Sequence, residues 1–381
     1  MNDLIVKNLG STKTKIPSIG LGTGTGFKDI GKKRNQELIY ILQKALDLGI
    51  NFISEGKNLF IDTAEIYFDG NAEKLIGKAF KKSRNRVFIA TKFLPQHSSY
   101  KEVLKAAEGS LKRLQTDYID LYQIHWPNPA VSIEETLTAL ENLVKTGKVR
   151  YIGVCNFSLR QLKEIRKYSK LPVVSLQTEY NLLERSIEKH LLPFCETNKI
   201  TVIAYTPLNS GNFLKKQEYL EIFSNLSEKY KKTTSQIILN FLISHPTVIA
   251  IPATTEIHHL EENATSADFI LEKKDIQLLT KMFTAKIINI DTKKIKVASK
   301  SDNSIYKTVE EAIANKLNFF PSPLVLSGDI KKGDFLKPVR VKKIKRAESN
   351  FEYELLGGRI RYWAWVIANR GKKPIPAIIE N

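Results

Sequence analysis

The chain has 381 residues, 42% of them hydrophobic and 26% charged, with 59 Lys and Arg against 40 Asp and Glu for a net charge of +19. That length holds a barrel-sized core and a small second domain in the composition of a soluble globular protein, and no apolar run approaches a membrane span. Two cysteines, Cys155 and Cys195, are too few for a disulfide framework and lack metal-ligand spacing, so no metal and a reducing cytoplasm are expected. Met1–Gly10 has no apolar core of signal-peptide length.

Ile16–Gly26 (IPSIGLGTGTG) reads as a short strand running into a Gly/Thr turn, where missing side chains let a ligand approach the backbone. Gln36–Leu48 has helical spacing and stops at Gly49. Ile50-Asn51-Phe52 then starts a strand, but the polar stretch Ile53–Leu59 stands between it and Ile61-Asp62 and reads as an insertion. From there apolar runs alternate with helical patterns. The runs are Val87–Phe93, Tyr118–Trp126, Tyr151–Phe157, Val173–Gln177, Ile200–Leu208 and Val248–Ile251. With Ile16–Leu21 and Phe60–Asp62 they make eight strands. The helices expected are Tyr100–Leu114, Ile133–Thr146, Leu159–Tyr168, Ile187–Asn198, Gln217–Lys231, Thr234–Ser244 and Asp275–Thr284. This is the rhythm of an α/β (β/α)8 TIM barrel over residues 1–288.

After Thr284 the rhythm changes. A Lys-rich, turn-prone linker is expected over 289–302, then a small basic α+β domain over 303–381. In it Thr308–Phe320 reads as helix, Pro338–Val341 as strand, Trp363–Asn369 as helix and Ile375–Ile379 as a last strand. From Lys286 to Asn381 there are 20 Lys and Arg against 10 Asp and Glu, about half of the chain's excess. Such a balance suits anionic partners, nucleotide or nucleic acid, as well as a merely solvated face.

The chemistry of the barrel gathers at its strand ends. Ile61-Asp62-Thr63-Ala64-Glu65-Ile66-Tyr67, Thr91-Lys92 and Ile124-His125-Trp126 deliver Asp62, Tyr67, Lys92 and His125 to one rim at even spacing. A phenol normally holds its proton too tightly to act as an acid near neutral pH. A lysine anchored by a carboxylate is expected to lower that pKa, with Lys92 the cation and Asp62 its anchor. His125 is then placed to orient a carbonyl oxygen and Tyr67 to protonate it. The chain has no redox group of its own, so a hydride must come from a cofactor.

These local sequences resemble the aldo-keto reductase family over residues 1–285. The resemblance implies reduction of aldehydes or ketones with a nicotinamide dinucleotide, taken as NADPH with NADH the alternative. It implies Gly22 and Thr23 beside the nicotinamide, Asn156 and Gln177 on its carboxamide, and Tyr205 stacked beneath the ring, with Thr206 and Leu208 following. Cys155 stands where the family usually has serine. Thr254, His259, Glu262 and Asn263 occupy the place of the phosphate-binding segment, and the lysine and arginine of many NADPH-dependent members are replaced by Ala253 and His259. Trp126 is expected to line the substrate pocket.

The tail, with its strand, Gly357-Gly358-Arg359-Ile360-Arg361 turn, helix and final Ile-Pro-Ala-Ile-Ile, resembles the ParB/sulfiredoxin-like superfamily. A Gly turn opening a helix suits phosphate, and Gly357, Gly358, Arg359 and Arg361 are the residues implied. Arg359 occupies the position of the sulfiredoxins' catalytic cysteine, so thiol chemistry is excluded. Two other readings are kept. One is a regulatory protein that senses cofactor with its barrel and binds a partner with its tail. The other is a bifunctional enzyme with phosphotransfer in the tail. The sequence leaves the oligomeric state open.

Overall fold

The computed structural model describes residues 6–27, 31–48, 59–209, 211, 217–284, 286–297, 304–344 and 351–380. Its contacts divide the chain into two units, Met1–Phe283 and Thr284–Asn381.

The first unit opens with an antiparallel hairpin, β1 (Val6–Asn8) and β2 (Lys15–Pro17). Eight parallel strands follow in sequence order: β3 (Leu21–Gly22), β4 (Leu59–Asp62), β5 (Val87–Phe93), β6 (Ile119–Ile124), β7 (Val149–Cys155), β8 (Val173–Glu179), β9 (Thr201–Tyr205) and β10 (Val248–Ala250). Ile19 bridges Ala250 in parallel, which joins the first strand to the last and closes the ring. Around it run α1 (Lys32–Asp47), α2 (Asn71–Phe80), α3 (Tyr100–Leu114), α4 (Ile133–Lys145), α5 (Leu159–Tyr168), α6 (Leu191–Thr197), α7 (Gln217–Tyr230), α8 (Thr234–Ile243), α9 (Ile257–Ala264) and α10 (Lys273–Met282). This is a (β/α)8 barrel.

The strands are near-continuous apolar runs because helices cover one face and the barrel interior the other. All seven residues of β5 are buried. Helix starts are fixed by side chains: Ser158 with Gln161 and Thr233 with Gln236 form reciprocal capping boxes at α5 and α8. Inside the ring Phe60, Phe88, Leu121, Val174, Ile203 and Ile249 pack together with Leu9 and Ile16 of the hairpin segment. The interior is therefore filled, and a cleft opens where the strand ends turn polar.

Several expectations are corrected. The run Ile16–Leu21 splits, with Lys15–Pro17 pairing in the hairpin and the first barrel strand confined to Leu21–Gly22. Two helices of the first unit, α2 and α9, were not anticipated. Ile187–Asn198 is a short 3-10 turn, Ser186–Lys189, followed by α6. Of the Ile53–Leu59 insertion only Leu59 falls within the described residues, as the first residue of β4.

The second unit contains β11 (Ile287–Ile290), β12 (Ile295–Lys296), α11 (Val309–Ile313), α12 (Pro323–Lys331), β13 (Val339–Lys343), β14 (Tyr353–Gly357), α13 (Arg359–Asn369) and β15 (Ile375–Ile379). The sheet order is β11-β15-β13-β14-β12. The stretch read as a linker is thus largely structural: β11 pairs with β15 and β12 with β14. Its apolar residues are the reason, since Ile290 and Ile295 join Val339, Val341, Leu355 and Trp363 in the core. Tyr362 Oη also donates to the Thr292 carbonyl at 2.9 Å. The helix read as starting at Trp363 begins at Arg359, because Gly358 adopts a left-handed φ of 86° that ends the strand and turns the chain into α13. Thr308–Phe320 is helical only over α11, as Asn315 and Asn318 take positive φ.

Candidate active site

Asp62 is the last residue of β4, and Lys92 the next to last of β5. His125 follows β6 directly, with its backbone N–H bonded to the Phe93 carbonyl. Tyr67 lies in the turn between β4 and α2. This turn is fastened to β5, since Thr63 and Glu65 donate backbone N–H groups to the carbonyls of Ala90 and Lys92. Glu65 adds a side-chain anchor, accepting from the Leu94 N–H at 2.5 Å and meeting His97 Nδ1 at 2.7 Å.

The four side chains come together. Lys92 Nζ, wholly buried, donates to Asp62 Oδ1 at 2.6 Å, to the Thr63 carbonyl at 2.8 Å and to Tyr67 Oη at 3.3 Å. All three ammonium protons are then used. Gln177 Nε2 donates to the other Asp62 oxygen at 2.6 Å. The Tyr67 and His125 rings stand edge to face with centroids 6.0 Å apart, and Trp126 stacks on His125 at 4.0 Å.

Burial opposes the charge on Lys92, but Asp62 and Tyr67 more than reverse it, so the ammonium is held above the ordinary lysine range. Burial and the charge of Lys92 together push His125 down to about 2, leaving a neutral imidazole. Tyr67 corrects an expectation. Burial raises its phenol above the ordinary value, and the pull of Lys92 does not overcome it. The phenol therefore keeps its proton throughout the neutral range. Because Lys92 approaches its oxygen as a donor, the phenolic O–H is left to point elsewhere.

A cleft of about 500 Å³ opens over this centre, lined by Asp62, Tyr67, His125 and Trp126. It continues past Gly22, Asn156, Gln177, Tyr205, Thr206 and Leu208 to Thr254, His259, Glu262 and Asn263. Lys92 lies behind this wall. Asn156 and Thr206 hold left-handed φ of 61° and 51° where β7 and β9 end, a strain that sites of binding often store. Tyr205 Oη donates to Asn156 Oδ1 at 3.0 Å, and Asn156 Nδ2 donates to the His125 carbonyl at 3.2 Å, so the amide is fixed before any ligand arrives.

Thr23 does not line the cleft. It is buried, and its hydroxyl donates to the Asp62 carbonyl at 3.0 Å. Cys155 is likewise buried and absent from the lining. Gly24, Thr25, Thr234 and Ser235 line it and were not singled out from sequence. Gly24 carried a signal in the Gly/Thr turn, for a Cβ there would lie 3.3 Å from Tyr67 Cζ. Glu65, quoted only as part of the Ile61–Tyr67 stretch, was given no role from sequence.

The amides of Asn156 and Gln177 and the ring of Tyr205 line the same cleft as Tyr67, a set that fits a flat amide-bearing ring, and His125 Nδ1 is buried without a partner. Among the described residues no cluster of three or more His, Cys, Asp or Glu could hold a metal, and no helix is long and apolar enough to cross a membrane.

The residues read from sequence as a phosphate loop run from Gly357, the last residue of β14, through Gly358 to Arg359 and Arg361 in the first turn of α13. Arg359 Nη1 donates to Ser304 Oγ at 2.8 Å, and Arg361 Nη1 to the Pro338 carbonyl at 2.9 Å. A Cβ at Gly357 would fall 2.7 Å from Arg340 Nε. Lys345 and Arg346 lie outside the described residues.

A closed (β/α)8 barrel whose strand ends bring a tyrosine, lysine, aspartate and histidine into one cleft defines the class. Residues 18–283 match the profile of the Aldo/keto reductase family, and the chain belongs to that family. It is 32% identical over 280 residues to "Methylglyoxal reductase YeaE" of Escherichia coli, covering 72% of this chain and 94% of that one. It is 29% identical over 328 residues to an "NADH-specific methylglyoxal reductase" of the same organism, covering 73% and 98%. Among solved structures, an aldo-keto reductase from Klebsiella pneumoniae in complex with NADPH aligns with a TM-score of 0.65 at 31% identity, covering 73% of this chain and 95% of that one.

Proposed function

We propose that the barrel reduces aldehyde or ketone carbonyls to alcohols with a reduced nicotinamide dinucleotide. The observation that carries this is Lys92, which bonds Asp62 and the Tyr67 oxygen together at the floor of the cleft. The cofactor, when bound, supplies the hydride to the carbonyl carbon. Tyr67 supplies the proton to the oxygen, and Lys92 stabilises the phenolate left behind. Neutral His125 orients the same oxygen. Asn156 and Gln177 would grip the carboxamide, with Tyr205 beneath the ring. Gln177 already donates to Asp62, so it ties the cofactor's place to the ion pair. Small carbonyl compounds are the substrate class that the relatives' names support.

The test is cofactor oxidation with a panel of small aldehydes, repeated on Tyr67→Phe. Loss of the proton donor should lower kcat by roughly 10²–10⁴-fold while cofactor affinity stays within about twofold. Undiminished turnover in that variant removes Tyr67 from its role.

For the second unit we propose contact with a phosphate-bearing partner, nucleotide or nucleic acid, in keeping with its ParB/sulfiredoxin-like sequence. Arg340, Arg359 and Arg361 around the Gly357–Gly358 turn support it. Binding of single-stranded DNA or ATP that weakens steeply with salt, and is lost in Arg359→Ala/Arg361→Ala, is the expected result. Binding unaffected by that change, or absent at low salt, refutes it.

A further inference from the structure

The reductase reading leaves open which dinucleotide the cleft prefers, and relatives bear names or ligands of both kinds. With the reacting ring at Tyr67, the adenosine half must follow the remaining lining, past Thr234 and Ser235 at the start of α8 to Ala253, Thr254 and the α9 residues His259 and Glu262. NADPH differs from NADH by one phosphate on the ribose. Such a group is held by guanidinium or ammonium, bidentate where it is held well.

Among the described residues the lining offers neither. The chain carries 59 Lys and Arg, yet no described residue of the lining is one of them. Ala253 is exposed and has no donor. The Thr254 hydroxyl is engaged locally, accepting from the Glu256 N–H at 3.0 Å. His259 leans on His258, ring centroids 4.0 Å apart. Glu262 lines the same stretch, half-buried, and makes no ion pair among the described residues. A carboxylate accepts hydrogen bonds from ribose or adenine groups and repels a phosphate. The net charge of +19 does not replace a local cation, because exposed charges are screened beyond a Debye length of about 8 Å at physiological salt.

We infer that this cleft does not select for the 2′-phosphate and binds NADH at least as tightly as NADPH. The inference rests on the reductase reading. It is tested on the full-length protein by fluorescence titration with NADH and NADPH at one fixed salt concentration, for the wild type and for Ala253→Lys/His259→Arg. The expected result is a dissociation constant for NADH equal to or below that for NADPH, with the ratio moving toward NADPH by about tenfold or more in the double variant. Tighter wild-type binding of NADPH overturns the inference and leaves the reductase reading intact. A double variant whose preference does not move shows that these positions do not face the ribose, and overturns it as well. If neither dinucleotide binds, the reductase reading itself fails and the inference with it.

Discussion

Lys92 decides how the centre titrates. It cannot lose its charge while Asp62 stays beside it, and His125 at about 2 is neutral at any working pH. Burial raises the Asp62 carboxyl above its ordinary value against the pull of Lys92, and it also moves up the phenol of Tyr67, the group that gives the proton. For carbonyl reduction the protonated phenol is the active form, so kcat should be flat from about pH 6 to 9 and fall only in the alkaline range. For alcohol oxidation the phenolate is needed, so the rate should climb with pH across that same interval. A bell-shaped reductive profile with a limb near pH 6.5 would return the proton to His125. The ion pair also bears on stability. Lys92→Met leaves the Asp62 carboxylate buried without its cation, which costs about 3–5 kcal/mol in urea unfolding. Asp62→Asn with Lys92→Met should recover most of that stability and none of the activity, and a double-mutant cycle measures the coupling. The four residues were legible in sequence because Asp62, Lys92 and His125 stand at or beside the ends of apolar runs, with Tyr67 in the polar turn after the first. Thr23, by contrast, was placed in the cleft, yet its hydroxyl is spent on the Asp62 carbonyl, a bond that needs the neighbouring strand to be seen.

The elements that hold this centre are less readable than the strands. Helix α2 (NAEKLIGKAF) has a glycine at its middle, which weakens the local helical signal. The structure gives the reason: a Cβ at Gly77 would sit 2.6 Å from the Leu114 carbonyl carbon, so the residue that obscures the helix lets it meet the end of α3. The same interface is pinned by Glu73, buried, which bonds Arg113 at 2.6 Å and Thr91 at 2.7 Å. Because α2 follows the Tyr67 turn at once, this packing fixes where the phenol stands. Gly77→Ala should cost about 1–3 kcal/mol by overpacking and lower kcat without raising the KM for cofactor. Thermal unfolding and steady-state kinetics on the same sample check both, and a variant as stable as the wild type would mean that α3 yields freely. In the second unit α12 was missed for a related reason, since Pro323 and Gly328 blur its pattern while Ser322 caps it.

At the scale of the whole molecule, the boundary between the units is set by pairing. The change in sequence rhythm near Asn289 is real, but it marks the middle of a strand. Ile287–Ile290 hydrogen-bonds along Ile375–Ile378, residues nearly ninety positions later, and such a partnership leaves no local trace in sequence. A cut at Asn289 would strip the second unit of most of β11 and leave that strand dangling from the barrel as an unpaired apolar edge. A cut after Thr284 falls one residue past the contact division and ahead of β11. The expected outcome is that residues 1–284 fold cooperatively and bind reduced dinucleotide as tightly as the full chain, while residues 1–289 express with more aggregation. Residues 285–381 should fold alone, and they carry +10 of the +19 net charge, 20 basic against 10 acidic residues. Salt-dependent binding of a phosphate polymer should travel with that fragment and be absent from the barrel. Size-exclusion chromatography, dinucleotide titration and polymer binding at two salt concentrations decide it, and a 1–284 chain that fails to fold would make the two units one cooperative structure.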